Sequence, residues 1–557
     1  MKKLPITFKV GTRSSKLATI QTEEALKQIS NKISEINFKT YSYSTFGDKD
    51  KKIDLRNSPD NIFTKELDGA ILSEEIDFAV HSAKDVPYHL PADIDWFWLP
   101  HHEDARDSII LRPGKRLEDL PKNPIIGISS DRRSAYCTNR FPNAIQKKIR
   151  GNLEERIQLL DDGVFDIIIM AAAGLHRLDL SSRIHQYISV DELSTPDGQG
   201  HLAITFRKKD KRLLAIRSLF ISSITFAGAG VGRKDLCTLE TLRALKRCDV
   251  CLYDSLMDHQ LLHELPEQSQ TIDVGKRCGA HSKDQAGITD LICRYTLQGL
   301  RVVRLKGGDP GIFGRLAEEI EGAENAHIAY RVIPGITALQ SASTETGMLL
   351  TRRDVSRGFT VITPRASGNK LASCNQETRS SLPIIYYMAT KAMKEIATEL
   401  LNEGFTATTP VSIIYGAGTN HERIIKTYLE ELSILDNPKE CRPGLIIVGN
   451  ITSYQYNRNI GALQGMRILL TCSDALQEKA KNLVNDYGGK PISFPLIKLS
   501  YNKHFLFDTK KYTWIAISSP SSVRAFMQYI DEYKIDIRRL PKIMVCGQGT
   551  ANEFTKY

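Results

Sequence analysis

The residues His81-Ser82-Ala83-Lys84-Asp85-Val86-Pro87 set an imidazole, an ammonium and a carboxylate directly after the apolar run EIDFAV. Pro87 would fix the turn that follows, so that these groups gather at the end of a buried strand. A second cluster, IGISSDRRSAYC, places Arg132 and Arg133 after a Gly-Ile-Ser-Ser turn, and a third, IRGNLEER, supplies Arg150 and Arg156. Arginines beside small-residue turns suit bidentate capture of carboxylates. For one arginine alone a surface ion pair is the commoner arrangement. Several such loops together point to a site for polyanionic acids.

The elements that must position these groups alternate: ITFKVGT reads as strand, KLATIQTEEALKQI as helix and EIDFAV as strand again. This order predicts α/β layers with functional side chains at strand ends. Further on, SITFAGAGVGRKDLCTLETLRALKRCDVCLYD reads as strand, glycine turn, helix and strand, with Leu236, Leu239, Leu242 and Leu245 forming one core-facing stripe. Gly228, Gly230 and Gly232 invite a dinucleotide-binding reading with Asp254 on a ribose, which nicotinamide binding would test. The spacing is G-x-G-x-G, however, where the fingerprint needs G-x-G-x-x-G. Cys248 and Cys251 have redox spacing, but no second pair or histidine cluster completes a metal site, so they read as packing thiols.

At 557 residues, 41% hydrophobic and 25% charged, the chain is of globular composition and long enough for three or more domains. It shows no uncharged apolar run of membrane-spanning length and no secretory leader at MKKLPITFKVGTRSSKLA. With ten scattered cysteines, this predicts a cytoplasmic protein with reduced thiols. The net charge of +10 comes without a nucleic-acid-binding motif, so small anionic substrates account for it, with no nucleic-acid or membrane partner. The run RKKDKR at 207–212 reads as a solvated face.

In order, VGTRSSKLATIQ, STFGDKD, FTKELDGAIL, AVHSAKDVP, IGISSDRRSA, RGNLEERIQLLDDGVFDIIIMAAAGLHRL and DGQGHLAI resemble the motifs of porphobilinogen deaminase (hydroxymethylbilane synthase). That family joins four porphobilinogen units on a dipyrromethane cofactor. The resemblance implies that Asp85 handles pyrrole nitrogen and carbocation charge. It also implies that Arg13, Lys84, Arg132, Arg133, Arg150 and Arg156 bind substrate and cofactor acid groups. Two features depart from the family: Asp60 stands where a lysine is usual, and no cofactor-bearing cysteine follows GQG. The next cysteine is Cys237, already inside the following motif, so no attachment cysteine for dipyrromethane is identified and the third domain is expected to be absent.

The runs TIDVGKRCGAHS, RVVRLKGGDPGIFGR, YRVIPGITALQSAS, LLTRRD, PIIYYMAT and RPGLIIVGNI resemble uroporphyrinogen-III C-methyltransferase, a tetrapyrrole methylase. The resemblance implies S-adenosyl-L-methionine in a cleft between two lobes, touched by Gly307, Gly308, Asp309, Ile312, Thr337, Ala338, Met388 and Gly418. Asp254 and Lys276 match positions with acid–base roles, and Arg277, Arg304, Arg352 and Arg353 are candidates for holding propionate and acetate groups. Here the departures are Val231-Gly232-Arg233, where Pro-Gly-Asp is usual, and Gly311, where phenylalanine is usual. A homodimer is implied because such methyltransferases are commonly dimeric.

Last, MRILLTCSDALQEKAKNLVNDYGGKPISFPLIKL, the SSPSS turn with Ser518, Ser519 and Ser522, and CGQGTANEF resemble the opening half of uroporphyrinogen-III synthase, with Cys472 where arginine is common. The expected fold is multidomain α/β: deaminase-like domains over 1–220, a two-lobed methylase over 222–455 and a partial synthase-like lobe over 464–557. The expected function is S-adenosylmethionine-dependent methylation of uroporphyrinogen III to precorrin-2, toward sirohaem or cobalamin. The alternatives are a multifunctional hydroxymethylbilane synthase, or a tetrapyrrole-binding scaffold in the truncated units. Porphobilinogen, hydroxymethylbilane and uroporphyrinogen III are the implied small-molecule partners.

Overall fold

Along the first strand, β1 (Ile6–Arg13), Phe8 and Val10 are buried while Lys9 is exposed, the alternation of a strand with one wet face. The computed structural model describes residues 6–33, 35–49, 60–275, 284–364, 382–419, 421–436, 444–456, 461–497, 499–501, 508 and 511–557. The chain divides into two units, residues 1–337 and 338–557.

In the first unit β1 pairs in parallel with β2 (Ile36–Tyr43) and with β3 (Phe78–Ser82). After β4 (Ile94–Trp98) the chain crosses into a second sheet: β5 (Asp107–Leu111), β6 (Ile125–Ile128), β7 (Ile145–Lys148), β8 (Ile167–Ala171) and β9 (Ile184–Tyr187). It returns as β10 (Leu202–Arg207), which runs antiparallel between β3 and β4. The orders are β2-β1-β3-β10-β4 and β7-β6-β8-β5-β9. Strands β5 and β8 are buried along nearly their whole length, as expected where both faces of a sheet are covered.

A third sheet, all parallel, follows in the same unit: β11 (Ile224–Gly228), β12 (Val250–Tyr253), β13 (Gln270–Asp273), β14 (Val302–Lys306) and β15 (Tyr330–Ile333), in the order β13-β12-β14-β11-β15. The chain steps outward from β11 to β12 and β13, then reverses to lay β14 between β12 and β11 and β15 on the far side; such reversals are where open parallel sheets form ligand crevices at the carboxyl ends of their strands.

The second unit holds a mixed sheet of β16 (Thr360–Ile362), β17 (Ile384–Tyr387), β18 (Pro410–Tyr415), β19 (Arg423–Tyr428) and β20 (Gly444–Val448). It ends in two parallel pairs, β21 (Arg467–Leu470) with β22 (Lys490–Ser493) and β23 (Trp514–Ile517) with β24 (Lys542–Val545). Leu469, Phe494, Leu496, Trp514 and Met544 are exposed on this last part. The α/β multidomain architecture is therefore as expected, and no helix among the described residues is long and apolar enough to cross a membrane.

Two local expectations are corrected. The leucine stripe at 236–245 is broken. The helix begins only at Leu239, capped by Thr238, and it buries Thr241, Ala244 and Leu245, leaving Leu239 71% exposed. Leu236 belongs to the preceding 3-10 turn. The run 207–212 is only partly a solvated face. Arg207 donates to the carbonyls of Ile71 and Ile76, and Arg212 reaches Asp77 at 2.7 Å, so these two cations tie β10 and the helix after it to the end of the helix Lys65–Leu72 and the turn leading into β3.

That helix carries a buried carboxyl, Asp68, neither oxygen of which meets a hydrogen-bond partner among the described residues. Burial pushes Asp68 up to about 6 from 3.8. The folded value exceeds the unfolded one, so the protonated form favours folding below about pH 4, and that contribution is lost as pH rises through about 6. The unfolding free energy of Asp68→Asn relative to the natural chain should therefore grow by about 3 kcal/mol between pH 4 and pH 8. Urea melts at the two pH values check this, and a pH-independent difference would refute it.

Candidate functional site

A cleft of about 790 Å³ lies between the first two sheets. Three helices aim their N-termini into it. Lys16–Ser30 is capped by Ser15, Asp131–Arg140 by Ser130, and Leu153–Asp161 by Asn152, whose partner Glu155 closes a capping box. Helix N-termini present backbone amides and partial positive charge, which attract carboxylates.

The cleft also gathers Lys84, Asp85, Arg132, Arg133, Arg150 and Arg156 from the three sequence clusters, and Arg13 from the end of β1. Arg13 ends β1, stands 3.5 Å from Asp85 and lies 4.3 Å above the ring of Phe63. Asp85 closes a 3-10 turn that begins at Ala83, directly after β3. Burial pushes Arg156 down to about 10, helped by Arg133 and Arg150 nearby, which leaves it a cation at neutral pH.

Desolvation by the surrounding walls lowers Lys84 to about 8. Its ammonium nevertheless has open surface to the cleft, and water there screens the effect. Its Nζ donates to Gln199 Oε1 at 3.2 Å. His81 does not join the turn. It sits inside β3, buried, with Nε2 at 2.9 Å from Thr205 Oγ1. Burial, reinforced by Arg13, pushes its imidazole down to about 3, so it is a neutral spacer between strands.

Sequence reasoning missed Asp107, the first residue of β5 and fully buried. Arg132 Nη2 and Arg133 Nη2 lie 2.5 and 2.6 Å from its two oxygens, and Gln199 Nε2 donates to it at 3.3 Å. Burial raises the Asp107 carboxyl, but the Arg133 and Arg132 guanidiniums outweigh burial and hold it below the usual carboxylate range. The only sequence signal was an acidic residue heading the apolar strand SIIL.

On the third sheet, Asp254 follows β12. Its carboxylate accepts from Arg304 Nη2 at 2.6 Å and from the Gly307 amide at 3.3 Å. Arg304 and Lys306 also contact the buried Glu319, at 3.2 and 2.8 Å. Burial lowers the Lys306 ammonium, with Arg304 adding to the effect. Arg304 is 3% exposed and engaged on both sides, so it has no face to offer a propionate.

Gly228 and Gly335 pack backbone to backbone, a Cβ on Gly228 falling 2.6 Å from Gly335 Cα. Gly230, at φ +69°, bridges to Gly308 through paired amides at 2.9 and 3.2 Å. Asp309 fastens the adjoining loops by accepting from the amides of Gly311 and Gly335. Ile312 is exposed and Thr337 buried. In the second unit Ala338 begins the helix Ala338–Thr346, Met388 is exposed at φ +52°, and Gly418 donates its amide to Glu422 at 3.3 Å. Lys276 and Arg277 lie outside the described residues. Arg352 stacks at 4.2 Å on Tyr454.

Residues 8–215 match the family model described as "Porphobilinogen deaminase, dipyromethane cofactor binding domain". The porphobilinogen deaminase of Prochlorococcus marinus (strain AS9601) is 40% identical over 216 residues, 38% of this chain and 68% of that protein. The chain belongs to the porphobilinogen deaminase family. It is a fusion: residues 223–433 match "Tetrapyrrole (Corrin/Porphyrin) Methylases" and 478–557 match "Uroporphyrinogen-III synthase HemD". "Siroheme synthase 2" of Yersinia enterocolitica is 34% identical over 236 residues, 42% of this chain and 50% of that protein. The solved uroporphyrin III C-methyl transferase from Thermus thermophilus is 30% identical, with a TM-score of 0.36, covering 42% of this chain and 99% of that one. The chain spans about two thirds of the length of the curated deaminases it matches, and half that of the sirohaem synthase.

The deaminase cleft meets one half of what a dipyrromethane cofactor needs. Its cations and helix N-termini suit the cofactor's carboxylates, but none of the described residues lining it is a cysteine to form the thioether. The nearest thiol in sequence, Cys137, is buried in the core of the second sheet.

Proposed function

We propose that the methylase domain transfers methyl groups from S-adenosyl-L-methionine to ring carbons of uroporphyrinogen III, forming precorrin-2. The observation that carries this reading is the setting of Asp254. Its carboxylate is oriented by Arg304 and the Gly307 amide, at the carboxyl end of β12 beside the point where the sheet order reverses. The similarity of this part of the chain to a sirohaem synthase supports it.

In this reading Gly307, Gly308, Asp309, Ile312 and Thr337 contact the methyl donor. The donor supplies an electrophilic methyl group. Asp254 then takes the proton that leaves the ring as the new carbon–carbon bond forms, with Lys276 as the second acid–base group. Asp309 acts indirectly by fixing the loops at Gly311 and Gly335.

Incubating the chain anaerobically with uroporphyrinogen III and S-adenosylmethionine should add two methyl groups by mass, and Asp254→Asn should slow the reaction about 100-fold. Donor binding without methyl addition would refute the reading.

A second reading rests on the deaminase cleft: it binds pyrrole carboxylic acids without a covalent anchor. Seven cations, Arg177 among them, and three helix N-termini converging on one space carry it.

A further inference from the structure

Side chains alternate along β4. Phe97 enters the core of the first sheet, stacked on Phe220 at 5.8 Å, while Trp96 and Trp98 face the other way. Trp98 packs with Ala83 and Ala203, and Trp96 joins both that cluster and the core of the methylase sheet. Helix Gln285–Leu297 of the methylase domain brings Arg294 to the same place. Its guanidinium lies 4.0 Å above the ring of Tyr88 and 6.0 Å from that of Trp96.

Among the described residues the only polar partner of Arg294 is Asp197, at 3.4 Å. Asp197 is itself held by Gln298 Nε2 at 2.9 Å. Trp96, Trp98, Asp197 and Arg294 line an open cavity of about 250 Å³, which Lys84 and Pro196 also line. The same two residues line the large cleft, so the two spaces share a wall.

We propose that this cavity is a second pyrrole-acid site, built jointly by the deaminase and methylase domains, which takes a monopyrrole bearing two carboxylates. This deepens the reading of the deaminase cleft as a pyrrole-acid site and rests on it. The tryptophan pair offers an apolar wall to a flat, electron-rich ring. Cations from two directions, Lys84 and Arg294, meet the carboxylates. Asp197 holds the guanidinium by one nitrogen and leaves its other donors for the ligand. Neither domain alone supplies both the aromatic wall and the second cation, so the site is a product of the fusion.

The test uses the full chain carrying Trp514→Phe, because the sequence holds three tryptophans and the other two are Trp96 and Trp98. The probe is 3-carboxymethyl-4-(2-carboxyethyl)pyrrole, which has no leaving group and so stays unreacted. Its addition should quench tryptophan fluorescence saturably. Arg294→Gln should raise the Kd about tenfold, the loss of one charge-assisted contact, and Arg294→Lys should recover most of the affinity. Equilibrium dialysis of the same samples counts bound probe, and Arg156→Gln, which touches only the large cleft, reports on that cleft separately. Bound probe that is lost in Arg156→Gln, with no quenching sensitive to Arg294, would overturn the second site and leave the cleft reading standing. No bound probe by dialysis would overturn both.

Discussion

Replacing Arg217 by alanine should destabilise the first unit by about 3–5 kcal/mol, the cost of removing one partner from a buried ion pair. Arg217 is 1% exposed. Its Nη1 donates to Asp95 on β4 at 2.7 Å, and its Nη2 donates to the carbonyls of Ala326 and His327 at 2.7 and 2.8 Å. Those carbonyls follow the methylase helix Leu316–Asn325, so one side chain joins the end of the deaminase match to the methylase sheet. Alanine would leave the buried Asp95 charge and two part-buried carbonyls without this donor. The urea midpoint reported by Trp96 and Trp98, which follow Asp95 in the same strand, should fall. The double variant Arg217→Met with Asp95→Leu should recover most of the loss, because an apolar pair of similar volume replaces a buried ion pair at little net cost. An unchanged midpoint in Arg217→Ala would show that the two domains do not depend on this contact.

The seam was illegible in the sequence for a physical reason. Arg217, Asp95, Trp96, Arg294 and Ala326 come together across separations of about a hundred residues and more, and none belongs to a local pattern. The cleft was legible because each of its loops is local. HSAKDVP begins in the last two residues of a five-residue strand, SSDRR contains a helix cap and the two arginines after it, and GNLEER a helix cap with Arg156 after it.

Where reading failed, burial had overruled a plausible pattern. Leu239 shares the spacing of a core stripe but stands at the first turn of a seven-residue helix, outside the packed face. Arg304 has the chemistry to bind a carboxylate, but on a central strand it spends that chemistry on Asp254 and Glu319. His81 sits among functional neighbours yet points into the sheet.

Asp107 shows how the deaminase cleft keeps so many cations together. Arg132 and Arg133 are adjacent in sequence and would repel; one buried carboxylate at the head of β5 gathers both. Its folded pKa is depressed, so its contribution is present above about pH 4 and is lost as pH falls through the folded value. Asp107→Asn should therefore cost about 3–5 kcal/mol at pH 7, with a deficit that shrinks toward pH 3. It should also weaken binding of the pyrrole diacid, because Arg132 would keep only the Ser194 carbonyl, and Arg133 mainly the Ser129 hydroxyl, to fix their direction. The opposite result, tighter probe binding in a fully stable variant, would mean that Asp107 competes with substrate for the arginines. Stability and affinity falling together would identify it as the group that aims them.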